Sequence, residues 1–195
     1  MATIGLRDIH YAVITKDDET GTTYDTPKKL APAMSLTKTP TYNRSNLRAD
    51  DGVIATAGSK GPITVSVGIS DMTPEARADI LGQKVNEDGV VISNKDDQPK
   101  DVALMARAEK SNGAYRYIVL YKVQFNPPEE GFETKQETPT FNTPTLSGEA
   151  IPRLSDGNEE AYVDSDSENV NQAVIDGWFD SVYEEESSTG GGVEG

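Results

Sequence analysis

The chain has 195 residues, 35% of them apolar, with 33 acidic against 18 basic side chains and a net charge of −15. That length suits one domain of ordinary size, with or without extensions, and the absence of cysteine excludes disulfides, thiolate metal sites and cysteine nucleophiles. So acidic a chain is unsuited to nonspecific nucleic-acid binding, which needs Lys and Arg to displace phosphate counterions, and to anionic membranes.

The central apolar runs, residues 102–106 and 117–121, are five residues long, whereas a membrane-spanning helix needs about 20. Arg7 and Asp8 follow soon after Met1 with no apolar stretch between, so no secretory signal is expected and folding in a cytoplasm is the default. Residues 6–15 alternate, with Ile9, Tyr11 and Val13 on one face, and predict a half-buried strand. Residues 16–29 are polar and broken by Gly21, Asp25 and Pro27, a loop.

Residues 33–42 alternate again, with Met34 and Leu36 inward, although Pro40 bars a central-strand position along the whole length. Residues 63–70 carry Ile63, Val65, Val67 and Ile69 on one face. Between these two strands lies a polar excursion with a short apolar patch, residues 43–59. A loop of that length without its own structure is uncommon and usually functional.

Residues 73–81 predict a helix: Thr73 as N-cap, Pro74 at the first position, Glu75 at the positive end of the dipole and Gly82 as the stop. Residues 90–93 are short and apolar. Residues 102–108 and 115–125 form a hairpin pattern about Ser111-Asn112-Gly113, and apolar residues on both faces of the second make it a central strand. Residues 132–139 and 140–151 read as extended, and Asp156-Gly157-Asn158 as a turn. Residues 169–183 look helical, with Val170, Val174, Trp178 and Val182 at four-residue spacing and Gly177 as a weak point. Residues 184–195, acidic and then Ser- and Gly-rich, predict a disordered tail. Strands dominate, so the expected fold is mainly β: a sandwich or partly closed barrel with a flanking helix, in one domain spanning residues 1–183.

Catalytic signatures are missing. His10, the sole histidine, sits on the strand face opposite the apolar one, the setting of a surface or edge side chain rather than a triad base. Asp164, Asp166 and Glu168 are spaced by two, but without the glycine of a calcium loop; they suit a charged helix entry. Asp50-Asp51, Asp96-Asp97 and Glu159-Glu160 suit solvated turns. Gly58-Ser59-Lys60-Gly61 lacks the spacing of a phosphate-binding loop and suits a turn. Tyr115, Tyr117 and Tyr121 on one strand face favour packing over a stacking platform. No catalytic residue, cofactor or metal site is expected.

Several blocks, in order, resemble the major tail (tail tube) proteins of long-tailed bacteriophages and prophages of Gram-positive bacteria. They are GLRDIHYAVIT and LAPAMSLTKTP, then NLRADDGV leading into TVSVGISDMTPEARADILG. FNPPEEGFETKQETPTFNTPTLSGEAIP and VDSDSENVNQAVIDGWFDSVY follow. The resemblance spans about residues 4–183 and rests on block order and spacing. It implies a non-enzymatic virion subunit, assembled in the host bacterial cytoplasm into hexameric rings stacked as a tube. The implied partners are further copies of the chain, a tape-measure protein inside the tube, and tail tip and tail terminator proteins. DNA would pass through without specific binding, which an acidic lumen favours.

Within that frame, residues 43–59 are expected to be an assembly arm. Val53 and Ile54 would be its apolar anchors, and Arg44 and Arg48 would pair with acidic patches; Asp50 and Asp51 complete the candidate interface. The competing expectation is a non-enzymatic β-sandwich module that decorates a phage capsid or binds a ligand through its tyrosine face. A hydrolase would need a defined carboxylate pair, and nothing in the sequence singles one out.

Overall fold

The computed structural model describes residues 1–49, 52–131, 134 and 143–185. Eleven strands and two helices follow in chain order: β1 (Thr3–Asp18), β2 (Gly21–Tyr24), β3 (Lys28–Ala31), β4 (Ala33–Ala49), β5 (Gly52–Ile69), α1 (Pro74–Leu81), β6 (Lys84–Val85), β7 (Val91–Ile92), β8 (Asp101–Lys110), β9 (Tyr115–Phe125), β10 (Thr145–Ala150), β11 (Glu160–Asp164) and α2 (Gln172–Asp176). Nine strands make one antiparallel sheet in the order β2-β1-β8-β9-β10-β5-β4, with β3 added to β1 and β11 to β9. β6 and β7 form a separate small hairpin.

The sheet curls until its two sides face each other across a core. Ile63, Val65, Val67 and Ile69 of β5 are fully buried against Ile9 and Tyr11 of β1, Val102 and Leu104 of β8, and Leu120, Val123 and Phe125 of β9. Ala76, Ile80 and Leu81 of α1 pack against the same core. Thr73 accepts a hydrogen bond from the Ala76 amide, and Gly82 closes the helix in the left-handed region, as the sequence predicts.

A second core lies on the other face of β1, β8 and β9. There Ala12, Ala103, Met105, Tyr117, Val119 and Tyr121 are covered by Ile175, Trp178 and Val182 of the C-terminal segment. A bulge allows β9 to serve both cores: between Leu120 and Val123 it carries one residue more than β8 does between Val102 and Leu104. The extra residue flips the alternation, so Tyr117, Val119 and Tyr121 face outward while Val123 and Phe125 face inward.

The barrel is not closed. β4 returns to the side of β1, within 8 Å, but the two do not pair. A cleft of about 420 Å³ marks the seam, lined by Ile4, Leu6, Leu36, Lys38, Arg116 and Ile118 among others. An inserted strand would need about 9.5 Å between its neighbours, so the seam is too narrow for one where the two strands approach.

Several expectations are corrected. Residues 16–29 are not one loop: β1 continues to Asp18, and β2 and β3 pair back onto it. Met34 points outward and is 58% exposed, because it is the extra residue of a bulge between Ala33 and Ser35. The predicted helix over 169–183 is helical only over Gln172–Asp176. Beyond it, Trp178 donates to the Ile175 carbonyl and Asp180 to that of Gly177, three residues back, so the chain tightens into turns. The four-residue spacing nevertheless brings Val170, Val174, Trp178 and Val182 to the second core. The extended segments expected over 132–142, and the tail from 186 on, lie outside the described residues.

Candidate functional site

Residues 43–59, expected as a loop excursion, are the outer part of one long hairpin. β4 has 17 residues and β5 has 18, and their pairing runs unbroken in direction from Ala33↔Ile69 out to Ala49↔Gly52. From Pro40↔Ile63 inward, β5 is also paired with β10. Farther out, the two strands pair only with each other among the described residues. At about 3.3 Å per residue, the ribbon from Tyr42 to Ala49 extends roughly 25 Å. Gly58-Ser59-Lys60-Gly61 lies inside β5, not in a turn.

The cross-strand register assigns the ribbon's faces. Tyr42, Arg44 and Asn46 share one with Lys60, Gly58 and Thr56; Asn43, Ser45 and Leu47 share the other with Ser59, Ala57 and Ala55. The Tyr42 ring lies over Gly58, so close that a β carbon there would stand 2.7 Å from ring carbons. The Arg44 guanidinium sits 5.3 Å from the centre of that ring. Thr56 Oγ1 donates to Asn46 Oδ1 at 3.0 Å. A third register shift of this pair, between Leu47 and Arg48, leaves Ile54 as the extra residue. Leu47 is 60% and Ile54 63% exposed. Asp50 and Asp51 lie outside the described residues, and of Val53 only the backbone is described.

At its base the ribbon is tied to the body by two ion pairs, Lys38 with Glu160 and Lys60 with Glu159. The Glu159-Glu160 pair, expected as a solvated turn, thus anchors the ribbon. By contrast Arg44 and Arg48 have no carboxylate partner among the described residues. Tyr42, Leu47, Lys60, Glu159 and Glu160 belong to this site and escaped the sequence reading. Burial periodicity is absent from a ribbon that touches no core, and the ion pairs join residues about a hundred positions apart.

Elsewhere several acidic groups are committed within the chain. Asp164 accepts from Arg116 Nε at 2.7 Å and Nη2 at 2.8 Å, and these bonds, with Lys110, hold its pKa at about 2. Asp166 accepts from Lys110 and from Asn112. Lys122, buried, donates to Asp17 at 2.7 Å, and Arg153, buried over the Tyr121 ring, pairs with Asp156 and Glu184. No group of three or more acidic or histidine side chains among the described residues is placed to hold a metal ion. His10 is half-buried, its ring 4.6 Å from that of Phe179. Tyr117 and Tyr121 are buried in the second core, so the tyrosine stripe packs. Among the described residues no helix is long and apolar enough to cross a membrane.

The candidate site is a projecting ribbon. A family model described as phage tail tube protein matches residues 35–186, from the start of this ribbon to the end of the segment that covers the second core. The chain belongs to the phage tail tube protein family. No curated protein matches the sequence. A tail tube protein is a structural component of the virion tail, which agrees with a site made of strand edges and exposed side chains. Among the described residues, the surface this tail tube protein offers farthest from its own cores is the β4–β5 ribbon.

Proposed function

We propose that this tail tube protein assembles into hexameric rings that stack into a hollow tube, and that the β4–β5 ribbon is the arm by which one subunit grips another. The observation that carries this is the ribbon itself. A two-stranded hairpin is marginal in water on its own, yet this one projects with Leu47 and Ile54 each more than half exposed. Contact with neighbouring subunits would bury both side chains and cover two unpaired strand edges. Arg44, Arg48, Ile54 and the flanking Val53, Asp50 and Asp51 are the proposed contact residues.

The tube would enclose a tape-measure protein, end on tip and terminator proteins, and conduct DNA during ejection. Assembly would take place in the host bacterial cytoplasm. The net charge of −15 supports a conduit to which DNA does not adhere, because like charge prevents binding by counterion release. The test is negative-stain electron microscopy of concentrated protein, with size-exclusion chromatography beside it. Rings or tubes with six-fold end views are the expected result; a closed small oligomer that never extends would favour a decoration module instead.

A further inference from the structure

The ribbon needs a receiving surface, and its chemistry restricts where that lies. The described part of the ribbon presents Arg44 and Arg48 on the face opposite Leu47, with Ile54 exposed at the bulge; it holds no carboxylate, and Asp50 and Asp51 stand between its two strands in the sequence. A matching surface must combine carboxylates that no cation of the same chain already neutralises with aliphatic side chains left in water.

One part of the body has both. The connection from α1 to β8, built on the β6–β7 hairpin, carries Glu87, Asp88, Asp96 and Asp97 against three lysines, Lys84, Lys95 and Lys100. None of the four forms an ion pair among the described residues. In the same hairpin Val90 is 54% and Ile92 45% exposed. Leu154 and Tyr162, also exposed, stand in different company. Leu154 lies beside Asp156, which is paired with Arg153, and its amide donates to Asp17, which is paired with Lys122. Tyr162 lies under the Arg116 guanidinium.

The connection that carries the hairpin is tied to the end of α1. Lys100 donates to the Ile80 carbonyl at the end of α1. Asn86 Oδ1 accepts from the amides of Asp88 and Val90, shaping the turn that displays Glu87 and Asp88. A β carbon on Gly82 would overlap the Gln98 carbonyl oxygen, so the two ends of the connection are packed together.

We infer that the β6–β7 connection of one subunit is the receptor for the β4–β5 ribbon of a second copy of this chain. Arg44 and Arg48 face the four carboxylates, and Ile54 packs on Val90 and Ile92. The inference rests on the tube reading and adds the second half of the contact. Desolvated charge pairs of this kind fix register and partner choice as much as affinity, which suits a polymer whose subunits must add in one orientation.

The test is charge reversal with restoration. Arg44→Glu with Arg48→Glu, and separately Glu87→Lys with Asp88→Lys, should each raise the concentration needed for tube formation about tenfold or more. The chain carrying all four changes should regain tubes. Circular-dichroism melts of each variant check that the subunit is folded. As a second measurement, Ile54→Cys with Ile92→Cys in this cysteine-free chain should yield a ladder of disulfide-linked multimers from oxidised tubes.

Tubes from the Glu87/Asp88 variant at the wild-type concentration, or variant tubes that give no ladder, would overturn the receptor assignment and leave the tube reading standing. Wild-type protein that never forms rings or tubes would overturn both.

Discussion

Replacing Leu47 and Ile54 together by aspartate tests the arm most directly. Both side chains are exposed in the isolated subunit, at 60% and 63%, so the change removes little packing from the fold. Exposed substitutions of this kind usually alter stability by no more than about 0.5 kcal/mol. In an assembled contact the same side chains would lose that exposed part to a neighbour. Burying a whole aliphatic side chain contributes about 1.5–3 kcal/mol; the still exposed fraction is then about 1–2 kcal/mol each, or about 2–4 kcal/mol for the pair. At 1.4 kcal/mol per factor of ten, the subunit concentration needed for assembly should rise about 30- to 1,000-fold, before any cost of burying the new carboxylates. The assay is sedimentation of tubes against subunit concentration, with thermal melts of the unassembled protein alongside. Tubes at the wild-type concentration would refute the argument, and so would a melting temperature lowered enough to show that the ribbon supports the fold of its own subunit.

Three further outcomes concern the body. Trp178→Ala should cost about 3–5 kcal/mol, because the indole is the largest side chain that the C-terminal segment adds to the second core; Trp178→Phe should cost much less, since the indole Nε1 has no hydrogen-bond partner to lose among the described residues. Denaturant titration separates the two, and equal losses would contradict the packing account. Gly148→Ala should cost about 1–3 kcal/mol: a β carbon there would overlap the Gln124 carbonyl oxygen and stand 3.0 Å from Phe125 Cα, forcing β10 away from β9. An unchanged unfolding midpoint would mean that the two strands separate at no cost. Asp164, held at a pKa of about 2 by Arg116 and Lys110, contributes stability that is fully present above the ordinary carboxylate value of about 3.9 and is lost as pH falls through the folded value. Melts between pH 4 and 2 should therefore fall more steeply for the native chain than for Asp164→Asn, and parallel profiles would show that the pairing adds nothing.

The sequence by itself determined the strands whose faces are buried and the helix whose ends are capped. Ile63, Val65, Val67 and Ile69 alternate because one side of β5 meets the core, and Thr73, Pro74 and Gly82 bracket α1 through local backbone chemistry. The hairpin of β8 and β9 was legible for the same reason, as was the set of valines and Trp178 that covers the second core. The general position of the projecting hairpin was legible too, as a stretch too polar to be core between two strands that are. Its form was not: β4 and β5 remain paired far beyond the core through backbone hydrogen bonds, which leave no hydrophobic period to detect. Bulges were equally hidden, since one extra residue at Met34, or between Leu120 and Val123, reverses which face a side chain meets without altering local composition. Gly177 could be seen to weaken a helix, but the packing of Trp178 and Val182 against β8 and β9 decided that the segment turns instead. Tertiary structure alone joined Lys38 and Lys60 to Glu160 and Glu159, because an ion pair depends on separation in space and these residues are about a hundred positions apart along the chain.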